Sequence, residues 1–192
     1  MASAAKQAYG GTSSGGASGA GTAGVLALDR GGNAASCVFT MNRPFGTSRI
    51  AGETGIIPAP PADIGATLGV VPVVMANQHR KQAILALSST GDRFAPMSAV
   101  SVLLRVQKNF RPDLDKAVSA PRVGVAQGQA LIEQGAGQGV ASALGAAGHS
   151  VARSDRPIGS VNLMFCTAGV RETPQSCKTS ADPRGFGYAV NA

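Results

Sequence analysis

The amino-acid sequence predicts a layered α+β domain. Alternating apolar residues give paired strand patterns in the first half of the chain, helix-like spacing follows in the middle, and strand patterns return near the end. The 192 residues suit one domain, and a chain of this length buries about 70% of its unfolded surface. The predicted order, ββ–ββ–α–α–α–ββ, favours sheets covered by helices.

Six segments have the composition and alternation of strands. The run D-R-G-G-N predicts a turn between the first two, and N-Q-H-R-K predicts a turn between the next two. A third pair is predicted towards the C-terminus. The predicted strands are Val25–Leu28, Ala34–Met41, Val70–Ala76, Gln82–Leu87, Gly159–Phe165 and Gly185–Val190.

Three segments are predicted to be helical. Ala95–Asn109 has apolar residues at helical spacing, and Pro96 suits the first turn of a helix. Asp113–Ser119 is a candidate short helix that ends before Pro121. The Ala/Gly-rich segment Ala136–Ala147 is the third, with Gly148 as an acceptable C-cap.

The first 21 residues differ in composition from the rest. They contain six glycines, four serines and no acidic residue, so we expect a flexible tail or linker followed by one folded domain over residues 22–192. The chain contains no run of 18 apolar residues, which excludes a membrane-spanning helix, and its start lacks the apolar region of a secretory signal.

The formal charge of +7 does not predict a nucleic-acid interface. The 17 basic residues are scattered, and neither interleaved stacking aromatics nor a nucleic-acid-binding motif accompanies them. Scattered charge that aids solubility is the simpler interpretation. An anionic small substrate or an acidic partner chain also fits.

The three cysteines form no zinc-binding pattern, so we expect no metal site. Cys37 lies in the strand-like A-A-S-C-V-F-T and is predicted to be a small buried residue. Cys166 and Cys177 flank the turn-rich T-A-G-V-R-E-T-P-Q-S. A disulfide in an oxidising compartment and two free thiols both remain open for this pair.

Thr22 has the chemistry of a candidate nucleophile. It lies between the Gly/Ser/Ala-rich tail and the first predicted strand, and a cut after Gly21 would make it an N-terminal residue. A free threonine amine beside its own hydroxyl is a base and a nucleophile on one residue. The alternative is that Thr22 is simply the last residue of a flexible tail.

Five short motifs occur in one register near Thr22, and two more follow downstream. In this order and spacing they resemble the small subunit of the gamma-glutamyltransferases, within the N-terminal-nucleophile hydrolases. The resemblance covers almost everything after residue 21 and implies an αββα sandwich. The motifs are G-T at 21–22, G-N-A at 32–34, T-x-N at 40–42, F-G-T at 45–47, A-G-E-T-G-I at 51–56, D-L-D-K-A-V-S-A-P-R at 113–122 and A-D-P-R-G at 181–185.

The resemblance implies a role for several residues. Thr22 matches the threonine that self-cleavage exposes as the nucleophile, and Thr40 matches a second threonine that steers it. Asn42 matches a side chain that holds the amino-acid end of the substrate. Thr90 and Gly91 occupy the place of a Gly-Gly pair whose N–H groups stabilise the oxyanion.

The chain departs from the family pattern around the substrate. The family's acidic, asparagine-rich segment is replaced by I-P-A-P-P-A-D-I, which leaves Asp63 as the candidate partner of a substrate ammonium. The family's paired serines are missing near Thr67–Val71. Ser88 and Ser89 are candidate substrate-binding residues, with an ordinary turn before a helix as the alternative. An ammonium and a carboxylate are costly to bury unpaired, so we expect weak binding of glutamyl groups.

Three functional hypotheses follow. The first is a gamma-glutamyltransferase-like subunit that acts on gamma-glutamyl or related small-molecule amides through an acyl-enzyme, without a cofactor, and pairs with a large-subunit-like chain as a heterodimer in the periplasm or outside the cell. The second is a catalytically silent structural or binding subunit that keeps the fold. The third is a relaxed amidase related to the beta-lactam side-chain acylases.

Overall fold

A computed structural model describes residues 21–61, 69–108 and 112–190. Its strands and helices follow a ββββ–αα–ββ–α–βββ order, with short 3₁₀ turns at Asp92–Phe94 and Pro174–Ser176. The elements are β1 Thr22–Leu28, β2 Ala34–Thr40, β3 Val70–Asn77, β4 Gln82–Thr90, α1 Ala95–Gln107, α2 Leu114–Ser119, β5 Val123–Ala126, β6 Gln129–Glu133, α3 Gln138–Ala146, β7 Val151–Ser154, β8 Ser160–Cys166 and β9 Cys177–Ser180.

The strands of the described residues form three sheets. An antiparallel hairpin joins β1 to β2, and a four-stranded antiparallel sheet has the order β3-β4-β8-β9. The third sheet has the order β5-β6-β7, in which β6 and β7 run parallel. The mixture of helices and sheets confirms the predicted α+β class.

The four-stranded sheet is the middle layer of the domain. Helices α1 and α2 cover one face, where they form the main apolar core with β4 and β8. The β1–β2 hairpin covers the other face, so β4 is buried on both sides. The side chain of Ser36 on β2 donates to the carbonyl of Leu87 on β4 at 2.7 Å and ties these two layers together.

Local sequence explains both core helices. Buried residues of α1 recur at helical spacing and give it one apolar face, and Pro96 lies in its first turn. The N-cap of α2 is Asp113, whose carboxylate accepts the backbone N–H of Lys116 at 3.0 Å. The buried positions of α1 are Ala95, Ser98, Ala99, Val102 and Val106.

The predicted strand Gly185–Val190 is wrong. The chain there forms a turn and an irregular segment, and the C-terminal strand that pairs with β8 is β9, Cys177–Ser180. Cys166 and Cys177 lie directly opposite each other in this pair and form a disulfide. Strands β5, β6 and β7 were not predicted, because runs of four or five residues are too short for alternation to be recognised.

The prediction that Cys37 is buried is also wrong. Its position on β2 faces away from the middle sheet, and the thiol is exposed and free. A strand with only one covered face places alternate residues in solvent, and a neighbouring apolar sequence does not reveal which face is covered. No helix among the described residues is long and apolar enough to cross a bilayer.

Candidate functional site

The hydroxyl groups of Thr22 and Thr40 are in contact. Thr22 is the first residue of β1 and lies directly opposite Thr40, the last residue of β2. The Thr22 hydroxyl donates to the Thr40 hydroxyl at 3.0 Å, and the backbone N–H of Asn42 donates to the same Thr40 oxygen at 3.1 Å. Both side chains are half-buried on the hairpin face that packs on the middle sheet.

Gly21 precedes the candidate nucleophile in a left-handed conformation, with φ of 81°. Its carbonyl oxygen accepts the backbone N–H of Met41 at 2.7 Å. A Cβ added at position 21 would lie 2.9 Å from the carbonyl oxygen of Arg43, so both φ and space favour glycine here.

Asn42 lies just beyond β2 rather than on it. Its backbone is left-handed, with φ of 57°, which asparagine tolerates better than most residues. The side-chain amide donates to the carbonyl of Pro60 at 2.7 Å. Asn42 therefore joins the end of β2 to Pro60, 18 residues further along the chain.

Contacts between the hairpin and the middle sheet show which ends of β1 and β4 lie together. A Cβ added to Gly24 on β1 would lie 2.3 Å from the hydroxyl oxygen of Ser88 on β4, so these two residues face each other. At the other end, the Gly32 carbonyl accepts the N–H of Ala83. Because β1 and β4 run in opposite directions, Thr22 lies towards the Thr90 end of β4.

The turn after β4 is packed against the start of β8. Gly91 has φ of 124°, and a Cβ added to it would lie 2.5 Å from the Cα of Gly159. The Gly159 carbonyl accepts a hydrogen bond from the guanidinium of Arg122 at 2.9 Å. The backbone at Gly159 therefore packs against the turn that begins after Thr90, at Gly91.

The two predicted substrate-binding serines are buried within the layers. The Ser89 hydroxyl donates to the Ala95 carbonyl at 2.8 Å, which is a structural contact at the start of α1. The Ser88 hydroxyl lies beneath Gly24 and has no hydrogen-bond partner among the described residues. The substrate-binding role of the two serines stays a prediction. Asp63 and Thr67 lie outside the described residues.

The described part of the chain places no histidine or carboxylate in hydrogen-bond contact with the Thr22 hydroxyl. Partial burial raises the pKa of Asp92, at the candidate oxyanion turn, although Arg93 acts in the opposite direction. No group of three or more histidine, cysteine or acidic residues within the described ranges could hold a metal ion. The group that accepts the proton of the Thr22 hydroxyl would then be the free amine of Thr22 itself, or a group outside the described residues.

A buried ionic network lies behind the site and joins the two downstream motifs. Arg122 and Asp182 are both fully buried and form an ion pair. Arg184 pairs with Asp182 at 3.1 Å and with Glu133 at 2.5 Å. The sequence analysis quoted the P-R and D-P-R motifs without giving these residues a role. The available signal was an arginine, Arg122, directly before the apolar run V-G-V-A at 123–126.

One cavity of the described chain lies beside β1, and Thr22 does not line it. It has a volume of about 230 Å³ and lies between the β1 strand, the β8–β9 pair and the segment before the C-terminus. Its lining includes Gly24, Leu26, Asn162, Ser180 and Tyr188. Tyr188 is 91% exposed, so this wall of the cavity is open to solvent.

Comparison with solved structures identifies the fold. The chain is similar to the gamma-glutamyltranspeptidase from Pseudomonas nitroreducens complexed with L-DON, with a TM-score of 0.66 and 20% identity over 87% of this chain and 97% of that one. It is also similar to the Bacillus anthracis transpeptidase CapD, with a TM-score of 0.68 and 18% identity over 88% and 99%.

A third similar structure is an acivicin-inhibited gamma-glutamyltranspeptidase, described as revealing critical roles for its C-terminus in autoprocessing and catalysis. Its TM-score is 0.66, with 20% identity over 85% of this chain and 99% of that one. No protein-family model and no curated protein matches the sequence. The chain therefore has the fold of these transpeptidases, which confirms the predicted fold and, at that level, the resemblance.

Proposed function

We propose that this chain is a gamma-glutamyltransferase-like subunit with Thr22 as an N-terminal nucleophile, acting on gamma-glutamyl or related amides. The observation that carries the proposal is the 3.0 Å hydrogen bond between the hydroxyls of Thr22 and Thr40. It lies at the start of β1, in a chain that has the transpeptidase fold. Residues that are 18 positions apart need not meet, so the contact adds to the motif evidence.

The proposed reaction uses the residues of this chain. Once the Gly21–Thr22 bond is cut, the Thr22 amine accepts the proton of the Thr22 hydroxyl, and the oxygen attacks the amide carbonyl. Thr40 orients that oxygen through the observed hydrogen bond. Backbone N–H groups at Thr90 and Gly91 stabilise the oxyanion, and the acyl group then passes from Thr22 to water or an amine.

We also propose that a large-subunit-like chain covers the hairpin. The face of β1 and β2 that points away from the middle sheet is apolar and exposed, with Val25 57% and Phe39 61% accessible. A two-stranded hairpin with one bare face lacks the second helical layer of the sandwich. The residues of this face are Ala23, Val25, Ala27, Ala35, Cys37 and Phe39.

The disulfide between β8 and β9 supports the proposal that the protein works in the periplasm or outside the cell. Structural disulfides persist in oxidising compartments and are rare where thiols are kept reduced. Fractionation of cells that express the native gene tests the location.

Mass spectrometry of the natively expressed protein tests the proposed enzyme. We expect a mature chain that begins at Thr22 and turns over at least one member of a panel of chromogenic gamma-glutamyl and acyl amides. Thr22→Ala should abolish both cleavage and turnover, whereas Thr54→Ala, in an exposed loop, should affect neither. Retained turnover by Thr22→Ala would refute the proposal.

One observation favours the silent subunit as a second candidate. The candidate substrate-binding serines Ser88 and Ser89 are enclosed between the layers. A natively expressed chain that keeps residues 1–21 and shows no turnover would support this candidate. Processing with turnover of acyl amides but not gamma-glutamyl amides would instead support the relaxed amidase.

A further inference from the structure

We propose that the backbone N–H of Met41 is the oxyanion donor for self-cleavage of the Gly21–Thr22 bond. This inference rests on the proposed function, in which Thr22 must be released, and adds the group that activates the bond to be cut. The carbonyl oxygen of Gly21 already accepts the Met41 N–H at 2.7 Å.

Thr40 and Met41, which are consecutive in the chain, each contact one of the two groups that react. The hydroxyl of Thr40 lies 3.0 Å from the attacking Thr22 hydroxyl, and the next N–H along the chain contacts the carbonyl under attack. The N–H of Asn42 holds the Thr40 oxygen in place. An aligned donor at the oxygen where negative charge develops is the arrangement that lowers the barrier of acyl transfer.

The local backbone keeps the carbonyl of Gly21 in this position. A left-handed φ of 81° turns the chain into β1, and the carbonyl oxygen of Arg43 leaves no room for a side chain at position 21. On the other strand, the Met41 carbonyl accepts the N–H of Arg43 at 2.6 Å, which holds the Met41 peptide in its turn.

The step balances without an added cofactor. The Thr22 oxygen attacks the Gly21 carbonyl carbon and passes its proton through the Thr40 hydroxyl to a water molecule, which returns a proton to the Thr22 nitrogen as that nitrogen leaves. The tetrahedral oxyanion is stabilised by the Met41 N–H; it collapses as the carbon–nitrogen bond breaks and the Thr22 nitrogen is protonated. Water then hydrolyses the resulting ester, which yields a Gly21 carboxylate and a Thr22 residue with a free amine and hydroxyl.

Replacing Met41 by its α-hydroxy acid analogue, through an ester in the backbone, tests the proposal directly. The ester keeps the side chain and shape but removes the N–H. Mass spectrometry monitors self-cleavage of the 192-residue chain in the absence of any amide substrate. We expect the rate to fall by about 10²- to 10³-fold. Met41→Leu, which retains the N–H, should cleave at nearly the normal rate.

A second pair of variants tests the position of the scissile carbonyl. Gly21→Ala should slow cleavage strongly, because its Cβ displaces the peptide from the Met41 N–H. Gly52→Ala is the matched control, since Gly52 has φ of 52° and open space around its Cβ, and it should cleave normally. Disulfide formation and thermal unfolding check that each variant is folded.

The outcomes separate this inference from the proposed function. Unchanged cleavage of the folded ester variant overturns the role of Met41 and leaves the enzyme proposal standing. Cleavage that depends on Met41, in a protein that turns over no amide, supports the inference and contradicts the enzyme. A wild-type chain that is never cut after Gly21 overturns both.

Discussion

Arg122 and Asp182 form a fully buried ion pair although 60 residues separate them in the chain. The same guanidinium donates to the carbonyls of Ile158 and Gly159, and the carboxylate accepts the N–H of Val161. The pair therefore fixes the start of β8, which supports the turn at Gly91.

Breaking this ion pair should destabilise the domain. Asp182→Ala leaves the Arg122 cation buried without its partner, and we expect a loss of about 3–5 kcal/mol in the free energy of unfolding, measured with urea. Arg80→Ala is the control, because the Arg80–Glu172 pair is 4.0 Å apart and both side chains are about half exposed. That change should have little effect, since solvent screens such pairs. Equal effects of the two substitutions would contradict this account.

Acid should weaken the ionic network through Glu133. Partial burial acts to raise the pKa of this carboxyl, but the hydrogen bond from Arg184 and the N–H groups of Ile158 and Arg122 lower it below 4.5 overall. A depressed carboxyl pKa stabilises the fold above the unfolded-state value and loses that effect as pH falls through the folded-state value. We expect the free energy of unfolding to fall as pH decreases below about 4.5, and Glu133→Gln to flatten that dependence.

The contact between Gly24 and Ser88 should tolerate almost no added volume. Gly24→Ala places a methyl group against the Ser88 side chain, and overpacking of this kind costs about 1–3 kcal/mol. Ser88→Ala alone should be neutral or slightly stabilising, because the Ser88 hydroxyl is buried without a partner. The double variant Gly24→Ala/Ser88→Gly, measured beside Gly24→Ala and Ser88→Gly alone, should recover part of the loss that Gly24→Ala causes. Additive effects in a double-mutant cycle would show that the two residues are not coupled.

The disulfide should contribute about 2–4 kcal/mol to stability, since it closes the segment between β8 and β9. Cys166→Ser together with Cys177→Ser should lower the melting temperature, whereas Cys37→Ser should not, because that thiol is exposed and free.

Thiol labelling offers an independent check. We expect one reactive thiol in the isolated chain, and its protection when a partner chain covers the outer face of the hairpin.

Gly91→Ala should impair turnover if the turn after β4 supplies the oxyanion donors. The added Cβ meets the Cα of Gly159, and backbone displaced by about 1 Å at a catalytic group can cost on the order of 10²-fold in kcat. KM should change less, because the donors act on the transition state. Gly128→Ala, with φ of 75° and open space, is the control. A folded Gly91→Ala protein with unchanged kcat would remove this turn from the mechanism.

The longer elements followed from the sequence because each has a periodic apolar pattern. The strands β1 to β4, β8 and the helix α1 lie where alternation or helical spacing predicted them, within a few residues. The short strands β5 to β7 and β9 depend on pairing with distant segments. Their four or five residues carry too little pattern to be seen locally.

The candidate site shows the same division. The residue types at positions 22, 40 and 42 and the motifs around them were readable in the chain, and so was the possibility of a disulfide. Only the tertiary structure showed that the Thr22 hydroxyl meets Thr40, that Ser88 lies beneath Gly24, and that Cys37 faces outwards. The reason is physical: composition and periodicity set which segments form strands, whereas the stacking of separate layers decides which side chains meet and which remain exposed.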